Sequence, residues 1–275
     1  MENFLPSDFS EGESVVAVIA GRGEYPALLV QRMLAKGVVC RLVALEGETS
    51  PDLWEKFPEN QRAEIAIGHL GRALKVLKRF RVSDVILAGQ VKPLRLFKDL
   101  RPDWRALCLL RKLRRRNAET IFSTICQEIE KIGIRVLDAR SFMEADVVQR
   151  AKNFPLKRHV VEHGIYIASE VARLDIGQSV IVKNGTVLCV EGFDGTDAMI
   201  RRAQSLAMAD LLLVKTSKPR HDFRFDVPIF GMQTVELMAT AGVRYGALES
   251  GRTIILNRDR VLARAEALGI RIFGY

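Results

Sequence analysis

The alternation of strand and helix patterns in the first half is the feature that most constrains the fold. The β-branched run Val15 to Ala20 predicts a buried strand, and the helical pattern after it ends near Gly37. Short apolar runs follow at 38–45, 63–67 and 84–89, again separated by helical patterns. Alternation at this spacing predicts right-handed βαβ units. We therefore expect an α/β fold with a doubly wound parallel sheet.

The second half predicts another α/β unit. The run SVIVKNGTVLCVE indicates two alternating strands joined at Asn184-Gly185, which is a strong hairpin signal. Helical patterns and the strand LLLVK surround it. Residues 141–162 lack strong periodicity, so we expect an N-terminal domain at 1–140, a linker at 141–162 and a C-terminal domain at 163–275.

Composition narrows the class of protein. The chain has 275 residues, 48% of them hydrophobic, which suits one large or two ordinary folded domains. A net charge of +9 favours an anionic partner, either nucleic acid, a lipid surface or a phosphorylated small molecule. The 4 cysteines form no CxxC pair, which argues against a zinc site or a disulfide framework. Without a signal pattern or a membrane-length apolar run, we expect a cytoplasmic protein, soluble or attached to a membrane only at its surface.

The segment 101–116, RPDWRALCLLRKLRRR, predicts a basic amphipathic helix. Its Trp and Leu residues form one face and its Arg and Lys residues form the other. Such a helix lies on anionic lipid headgroups, binds nucleic acid phosphates or simply presents a solvated face. The tryptophan and the density of arginine favour the membrane surface.

Two loops of the first half are candidate substrate contacts. Gly21 and Gly23 lie between the first strand and the first helix, where backbone amides bind phosphate, although a merely tight turn fits equally well. Pro26 replaces the third glycine of a dinucleotide-binding motif, which disfavours NAD. Gln90 and Lys92 follow the fourth strand at the edge where ligands gather in such sheets, and a plain connection is the alternative.

Carboxylates cluster where a strand of the second half meets a helix. Glu191 and Asp194 are candidate ligands of Mg²⁺, which prefers oxygen donors. Thr196 and Asp197 are candidate substrate contacts beside them. The alternative is helix capping by Asp194 or Thr196.

The segment KTSKPRHDFRFDVPIFG carries the strongest signal of chemistry. Its candidate residues are Lys215, Lys218, His221, Asp222, Arg224 and Asp226. The cations would neutralise a pyrophosphate and stabilise the charge that develops as a P–O bond breaks. An aspartate would bind a metal or accept a proton from the attacking water, and the histidine is a further candidate for acting at neutral pH. A surface ladder of salt bridges is the alternative.

Several of these motifs resemble one family. The run K-x-x-K-P-x-x-D-x-R-x-D-x-P-x-x-G, residues 215–231, is similar to the LpxI-type UDP-2,3-diacylglucosamine pyrophosphatases. The segments DIGQSVIVKNGTVLCVEGFDGTDAMIRRA and YGALESGRTIIL, the turn AGRGEYP and the loop GQVKP resemble the same family. The resemblance spans about residues 15–274.

The resemblance implies an enzyme of lipid A assembly in an organism with an outer membrane. The family hydrolyses UDP-2,3-diacylglucosamine to UMP and 2,3-diacylglucosamine 1-phosphate (lipid X) with a divalent cation, Mg²⁺ or another such as Mn²⁺. It implies a Rossmann-like N-terminal domain, a distinct C-terminal domain and a ligand cleft between them. The critical aspartate of the family corresponds to Asp226, which is expected to act as catalytic residue or metal ligand.

The resemblance and the basic helix together predict the partners. We expect peripheral association with the cytoplasmic face of the inner membrane and no nucleic acid, with a homo-oligomer as an open option. Two alternatives for the function stay open: a non-catalytic nucleic-acid-binding protein, and a nucleotide-sugar or NAD-binding enzyme that uses the first glycine turn. The acidic clusters disfavour the former because they repel a polyanion.

Overall fold

The chain divides into two compact units in a computed structural model that describes residues 3–10, 12–91, 102–113, 118–206 and 208–275. The N-terminal unit comprises Asn3–Met143 together with Asp222–Asp226. The C-terminal unit comprises Glu144–His221 and Val227–Tyr275. The division after Met143 falls inside the predicted linker 141–162, and the predicted domain limits themselves stay a prediction. A short segment of the second half therefore belongs to the first unit.

The N-terminal unit is built on a parallel sheet. Its elements in chain order are β1 (Val15–Ala20), α1 (Tyr25–Ala35), β2 (Val39–Leu45), α2 (Pro51–Glu55), a 3₁₀ turn (Glu59–Gln61), β3 (Arg62–Ile65), α3 (Leu70–Arg79), β4 (Asp84–Ala88), α4 (Trp104–Lys112), α5 (Ala118–Glu130) and β5 (Arg135–Val136). The strands lie in the order β3-β2-β1-β4-β5, and all neighbouring pairs are parallel. The prediction of a parallel α/β sheet is confirmed.

Burial explains why these segments form strands. Every residue of β4 is buried, as are the last five of β1, and apart from Asp84, which pairs with Arg135, these buried residues are apolar rather than alternating with polar ones. On one face of the sheet, Ala17 and Val85 pack with Leu77 of α3 and Ile129 of α5. Phe225 of the segment Asp222–Asp226 packs against the same core. The segment thus contributes to the hydrophobic core of the N-terminal unit.

The C-terminal unit has a mixed sheet. Its elements are α6 (Arg158–Arg173), β6 (Ser179–Lys183), β7 (Thr186–Val190), α7 (Gly195–Gln204), β8 (Leu211–Lys215), β9 (Ile229–Phe230), α8 (Met232–Thr240), β10 (Val243–Leu248), β11 (Ile254–Ile255), α9 (Arg258–Ala267) and β12 (Arg271–Gly274). The order is β12-β10-β8-β6-β7, with β8, β10 and β12 parallel and β6 antiparallel to both neighbours. Strands β9 and β11 form a separate parallel pair.

Local geometry accounts for two features of this unit. Asn184 and Gly185 have φ values of 49° and 85°, as the turn of a tight hairpin requires, which confirms the predicted β6–β7 hairpin. Gly164 lets α6 approach the sheet, because a Cβ there would lie 2.8 Å from Cγ2 of Val214.

Strands β9 and β12 were not predicted.

The helices of the described residues are too short or too polar to cross a bilayer.

Candidate functional site

Lys215 is a buried cation at the carboxyl end of β8. All five residues of this strand are buried, and Lys215 is only 7% exposed. Its Nζ donates a hydrogen bond to Oγ1 of Thr196 at 3.1 Å. Among the residues that the structure describes, no carboxylate forms an ion pair with it. Because a buried ammonium without a counter-charge is costly, this position is suited to an anion.

The hydrogen bond from Lys215 continues to a carboxylate. The hydroxyl of Thr196 donates to Oε1 of Glu191 at 3.0 Å, so it links the cation to the acid. Oε2 of Glu191 is buried and has no hydrogen-bond partner within the described part of the chain. Glu191 directly follows β7 and Thr196 lies in the first turn of α7, as the sequence predicts for this strand–helix junction. One carboxylate oxygen therefore remains for a ligand.

The other two acids of this junction have separate partners. Asp194 occupies the N-cap position of α7 but makes no capping hydrogen bond, and its carboxylate pairs with Arg202 instead. Oδ2 of Asp197 accepts a hydrogen bond from Nε2 of Gln233 at 2.7 Å. The alternative of helix capping by the Asp194 side chain is therefore wrong. Across the described ranges, no three His, Cys, Asp or Glu side chains form a group that could hold a metal.

The two residues after Lys215 are held by Glu249, which sequence analysis missed. Oε2 of Glu249 accepts hydrogen bonds from the backbone N–H of Ser217 at 2.7 Å, its hydroxyl at 2.7 Å and the Thr216 hydroxyl at 3.1 Å. Glu249 directly follows β10, the neighbour of β8 in the sheet. Glu249 lies in the segment YGALESGRTIIL, but no local pattern indicates its role, because its partners lie 32 and 33 residues earlier. The carboxylate fixes the backbone that leaves the lysine.

Further contacts fix the same stretch. The hydroxyl of Tyr275 donates to the backbone oxygen of Lys215 at 3.3 Å, and burial raises the pKa of this tyrosine above its ordinary value. Lys218 forms an ion pair with Asp175, and Nη2 of Arg252 donates to the backbone oxygen of Lys218 at 3.1 Å. The segment after β8 is thus ordered by several polar contacts, which range from buried to exposed.

The segment Asp222–Asp226 contains its own ion pair. Nε and Nη2 of Arg224 donate to the two carboxylate oxygens of Asp222 at 2.9 and 2.7 Å, and Nη1 donates to Glu130 of α5 at 2.8 Å. Hydrogen bonding to Asp222 raises the pKa of the guanidinium. Both predicted site residues are therefore engaged with each other, as the salt-bridge alternative described, and their proposed contacts with a ligand stay predictions.

Aromatic and backbone contacts complete the anchoring of this segment. The ring of Phe225 stacks on Phe122 of α5 with centroids 5.8 Å apart. The backbone oxygen of Phe223 accepts a hydrogen bond from Ala139 N–H at 2.7 Å. Asp226 is half-buried, and its N–H donates to the oxygen of Asp222 at 3.3 Å. The position of Asp226 is thus defined by the N-terminal unit, whereas Lys215, Lys218 and His221 belong to the C-terminal unit.

The first glycine turn and the loop after β4 are paired. The backbones of Arg22 and Gln90 exchange two hydrogen bonds of 2.8 and 3.0 Å. A Cβ on Gly21 would lie 2.4 Å from the oxygen of Gln90, so close backbone approach requires glycine there. The N–H of Gly21 already donates to Ala88 at 2.7 Å. Gly23, with a φ of 100°, completes the turn.

The pairing brings together two predicted substrate-binding loops of the N-terminal unit. Gly21 contributes space for close approach, since its own amide is used within the fold. The predicted contact Lys92 lies outside the described residues. The roles of these loops toward a ligand remain predictions.

Two α/β units and a buried lysine suited to an anion define an enzyme-like protein, and comparison with known proteins identifies its family. Residues 15–145 match the model of the LpxI N-terminal domain, and residues 144–273 match that of the LpxI C-terminal domain. The chain is 32% identical over 276 residues to the UDP-2,3-diacylglucosamine pyrophosphatase LpxI of Caulobacter vibrioides, covering 94% of this chain and 96% of that protein. The chain belongs to the LpxI family and is an enzyme of the hydrolase class.

Proposed function

We propose that the protein hydrolyses UDP-2,3-diacylglucosamine to UMP and 2,3-diacylglucosamine 1-phosphate, a step of lipid A synthesis at the cytoplasmic side of the inner membrane. The named activity of the Caulobacter relative and the match to both family domains support this substrate. The order β3-β2-β1-β4-β5 supports a Rossmann-like first domain, since it is the order of nucleotide-binding doubly wound sheets. Family membership favours this function over the nucleic-acid-binding and NAD-dependent alternatives.

The buried ammonium of Lys215 is the observation that carries the proposal. A diphosphate oxygen would supply the counter-charge that Lys215 lacks within the described residues. In water-poor surroundings such a pair is stronger than at the surface, so the lysine would stabilise charge on the phosphate as the P–O bond breaks. Thr196 would hold the ammonium in place and Glu191 would hold Thr196.

Asp226 would act on the same diphosphate from the segment Asp222–Asp226. The proposal requires this aspartate and Lys215 to reach one ligand, held in the predicted cleft between the domains. Asp226 would orient the attacking water, accept its proton or hold a divalent ion. The pair of Arg224 and Asp222 and the stack of Phe225 would keep the aspartate in place.

The predicted Mg²⁺ or Mn²⁺ belongs to this proposal. The buried free oxygen of Glu191 fits a metal donor, whereas Asp194 is engaged by Arg202. Since no group of three ligands occurs in the described parts of the chain, a bound ion would depend on one or two carboxylates together with substrate oxygens, which is common for Mg²⁺. When bound, such an ion supplies additional positive charge to the diphosphate.

The decisive experiment is release of UMP from UDP-2,3-diacylglucosamine by the purified protein. We expect turnover by the wild-type protein and a decrease of at least about a thousandfold in Asp226→Asn, because the variant keeps the shape of the side chain but neither its charge nor its basicity. An unchanged melting temperature would show that the fold is retained. Full activity of Asp226→Asn would remove the role of this aspartate, and absence of UMP from the wild-type protein would refute the substrate.

A basic groove supports the proposed association with the membrane. It is lined by Arg72, Lys75 and Lys78 of α3 and by Trp104 and Arg105 of α4, among others. The three α3 cations are exposed at a spacing of three residues, and Trp104 is 74% exposed. Cations beside an exposed tryptophan suit an anionic lipid surface.

Vesicle sedimentation tests this association. The protein should bind vesicles that contain phosphatidylglycerol but not pure phosphatidylcholine, and added salt should weaken binding. The double variant Lys75→Glu, Lys78→Glu should bind less than the matched control Arg260→Glu, Arg271→Glu, which changes the net charge equally with two exposed arginines of the C-terminal unit. Equal loss in both variants would mean that net charge alone governs binding.

A further inference from the structure

The guanidinium of Arg140 contacts two aromatic rings of the N-terminal unit. Its Cζ lies 3.7 Å from the centroid of the Phe223 ring and 4.2 Å from that of the Phe4 ring. The Arg140 side chain is 13% exposed, and a cation–π contact is stronger where water is largely excluded. Arg140 therefore joins the segment Asp222–Asp226 to the first residues that the structure describes.

A carboxylate fixes the plane of this guanidinium. Nε and Nη2 of Arg140 donate to the two carboxylate oxygens of Asp138 at 3.0 and 2.6 Å, and the backbone N–H of Arg140 donates to the same group at 2.8 Å. A guanidinium binds a carboxylate through its edge while its faces stay available to aromatic rings. Lysine has no such plane, so this combination of contacts requires arginine.

The residue before Arg140 binds the same segment through its backbone. The N–H of Ala139 donates to the backbone oxygen of Phe223 at 2.7 Å, and the backbone oxygen of Ala139 accepts a hydrogen bond from the hydroxyl of Tyr25. Tyr25 is itself buried at the start of α1. Residues 138–140 therefore hold both the backbone and the ring of Phe223.

Phe223 is one of two aromatic anchors of the turn that carries Asp226. The ring of Phe225 packs on α5, whereas that of Phe223 packs on residues 138–140. The backbone N–H of Asp226 donates to the oxygen of Asp222 at 3.3 Å, which closes the turn. Because the turn has only five residues, a displacement of Phe223 would move Asp226.

We infer that Arg140 is a positioning residue for the reaction: it acts on Asp226 through Phe223, and Phe4 supports it. The inference rests on the proposed function, which assigns the chemical role to Asp226. A small displacement of this aspartate would disturb its alignment with the attacking water more than it would disturb substrate binding. Loss of Arg140 should therefore lower kcat and leave KM nearly constant.

The test compares two arginines of the same unit. Arg140→Lys keeps a positive charge beside Asp138 but loses the guanidinium plane, and we expect kcat for UMP release to fall about fivefold while KM changes less than about twofold. Arg62→Lys is the matched control, because Arg62 lies 4.4 Å from the Trp54 ring and donates to the Trp54 oxygen at 2.9 Å. Its kcat should stay within about twofold of the wild-type value. An unchanged kcat in Arg140→Lys, a loss confined to KM, or an equal loss in Arg62→Lys would overturn the inference.

A double-mutant cycle tests the route through Phe223. Phe223→Leu removes the ring but leaves the pair of Arg140 and Asp138, and its kcat should fall about as much as that of Arg140→Lys. The double variant should lose no more than either single variant, because both remove the same contact. Additive losses would contradict the route. Should Arg140→Lys fail to fold, Phe223→Leu decides, and an undiminished kcat would overturn the inference.

Failure of the proposed function has a different signature, since the wild-type protein would then release no UMP. Amide hydrogen exchange still tests whether Arg140 holds the segment. The peptide that contains residues 222–226 should exchange at least about threefold faster in Arg140→Lys than in the wild-type protein, and Arg62→Lys should match the wild type. Equal exchange in all three proteins would refute the positioning role.

Discussion

The two ends of the segment from Lys215 to Asp226 are held by different physical means. At the first end, a buried strand delivers the lysine, its ammonium donates to Thr196, and Glu249 fixes the backbone of the next residues. At the second end, a partly exposed ion pair and an aromatic stack hold Asp226 in the other unit. Removal of a buried hydrogen-bond partner leaves a buried polar group unsatisfied, whereas water partly replaces a partner that is exposed. Apart from substitution of Asp226 itself, we therefore expect substitutions at the first end to have the larger effects.

Lys215→Met should produce the largest effect of these variants. Methionine fits the buried position without the cost of an unpaired charge, so the fold should persist while kcat/KM falls at least about a hundredfold. UMP release and thermal unfolding measure the two quantities. Lys218→Met is the matched comparison, and it should lose less because its ammonium is already paired with Asp175. Equal losses would mean that burial does not distinguish the two lysines.

Glu249→Ala should come next, with an effect mainly on stability. It removes the acceptor of one backbone and two hydroxyl donors, so the free energy of unfolding should fall by about 2–3 kcal/mol. Activity should fall about tenfold as the backbone after Lys215 relaxes. Glu249→Gln, which retains an acceptor oxygen, should be intermediate in urea unfolding. A stable, fully active alanine variant would contradict the positioning role.

Arg224→Lys should have a smaller effect. Lysine keeps the charge but cannot form the paired hydrogen bonds to Asp222. Because the side chains of Arg224 and Asp222 are 29% and 24% exposed, the free energy of unfolding should fall by only about 1 kcal/mol. The difference from the wild-type protein in urea unfolding should shrink at high salt, because the remaining attraction is screened. A loss as large as that of Glu249→Ala would remove the distinction between the two ends.

The pH dependence of stability should have the smallest effect near neutral pH, because it appears only on raising the pH. Burial raises the pKa of the Cys126 thiol, beside Arg224, to about 12 and that of Cys40 to about 11, from an ordinary value of 9.0. The folded state favours neutral thiols, so this contribution is complete below about pH 9. It decreases as pH rises further, because the unfolded chain then ionises first. Urea unfolding between about pH 8 and pH 10.5 should show the decline, and Cys126→Ala should reduce it.

The sequence predicts the sheets well because their signals are local. Apolar runs and glycine turns identify β1, β2, β3 and β4 to within about two residues, and Asn184-Gly185 identifies the hairpin. Strand β12 was not predicted, because it is short and Gly269 is the one turn signal that precedes it. Its pairing with β10 is a tertiary effect.

The candidate site was predictable only in part. Residue types and spacing identify Lys215, Glu191 and Thr196, which the structure joins by hydrogen bonds. Glu249 escaped because its partners come from a distant strand end. The sequence also did not predict that Asp222–Asp226 belong to the N-terminal unit, because neighbouring residues of one motif need not pack into the same core.

The participation of Phe225 in the N-terminal core has a consequence for biosynthesis. The ribosome has released residues 3–143 long before it reaches residue 225, so the nascent first unit must wait with the Phe122 face of α5 unpartnered. Its final packing comes only after most of the second unit has been translated. A protein cut after Met143 would keep that exposed surface permanently, and self-association of the isolated piece would follow.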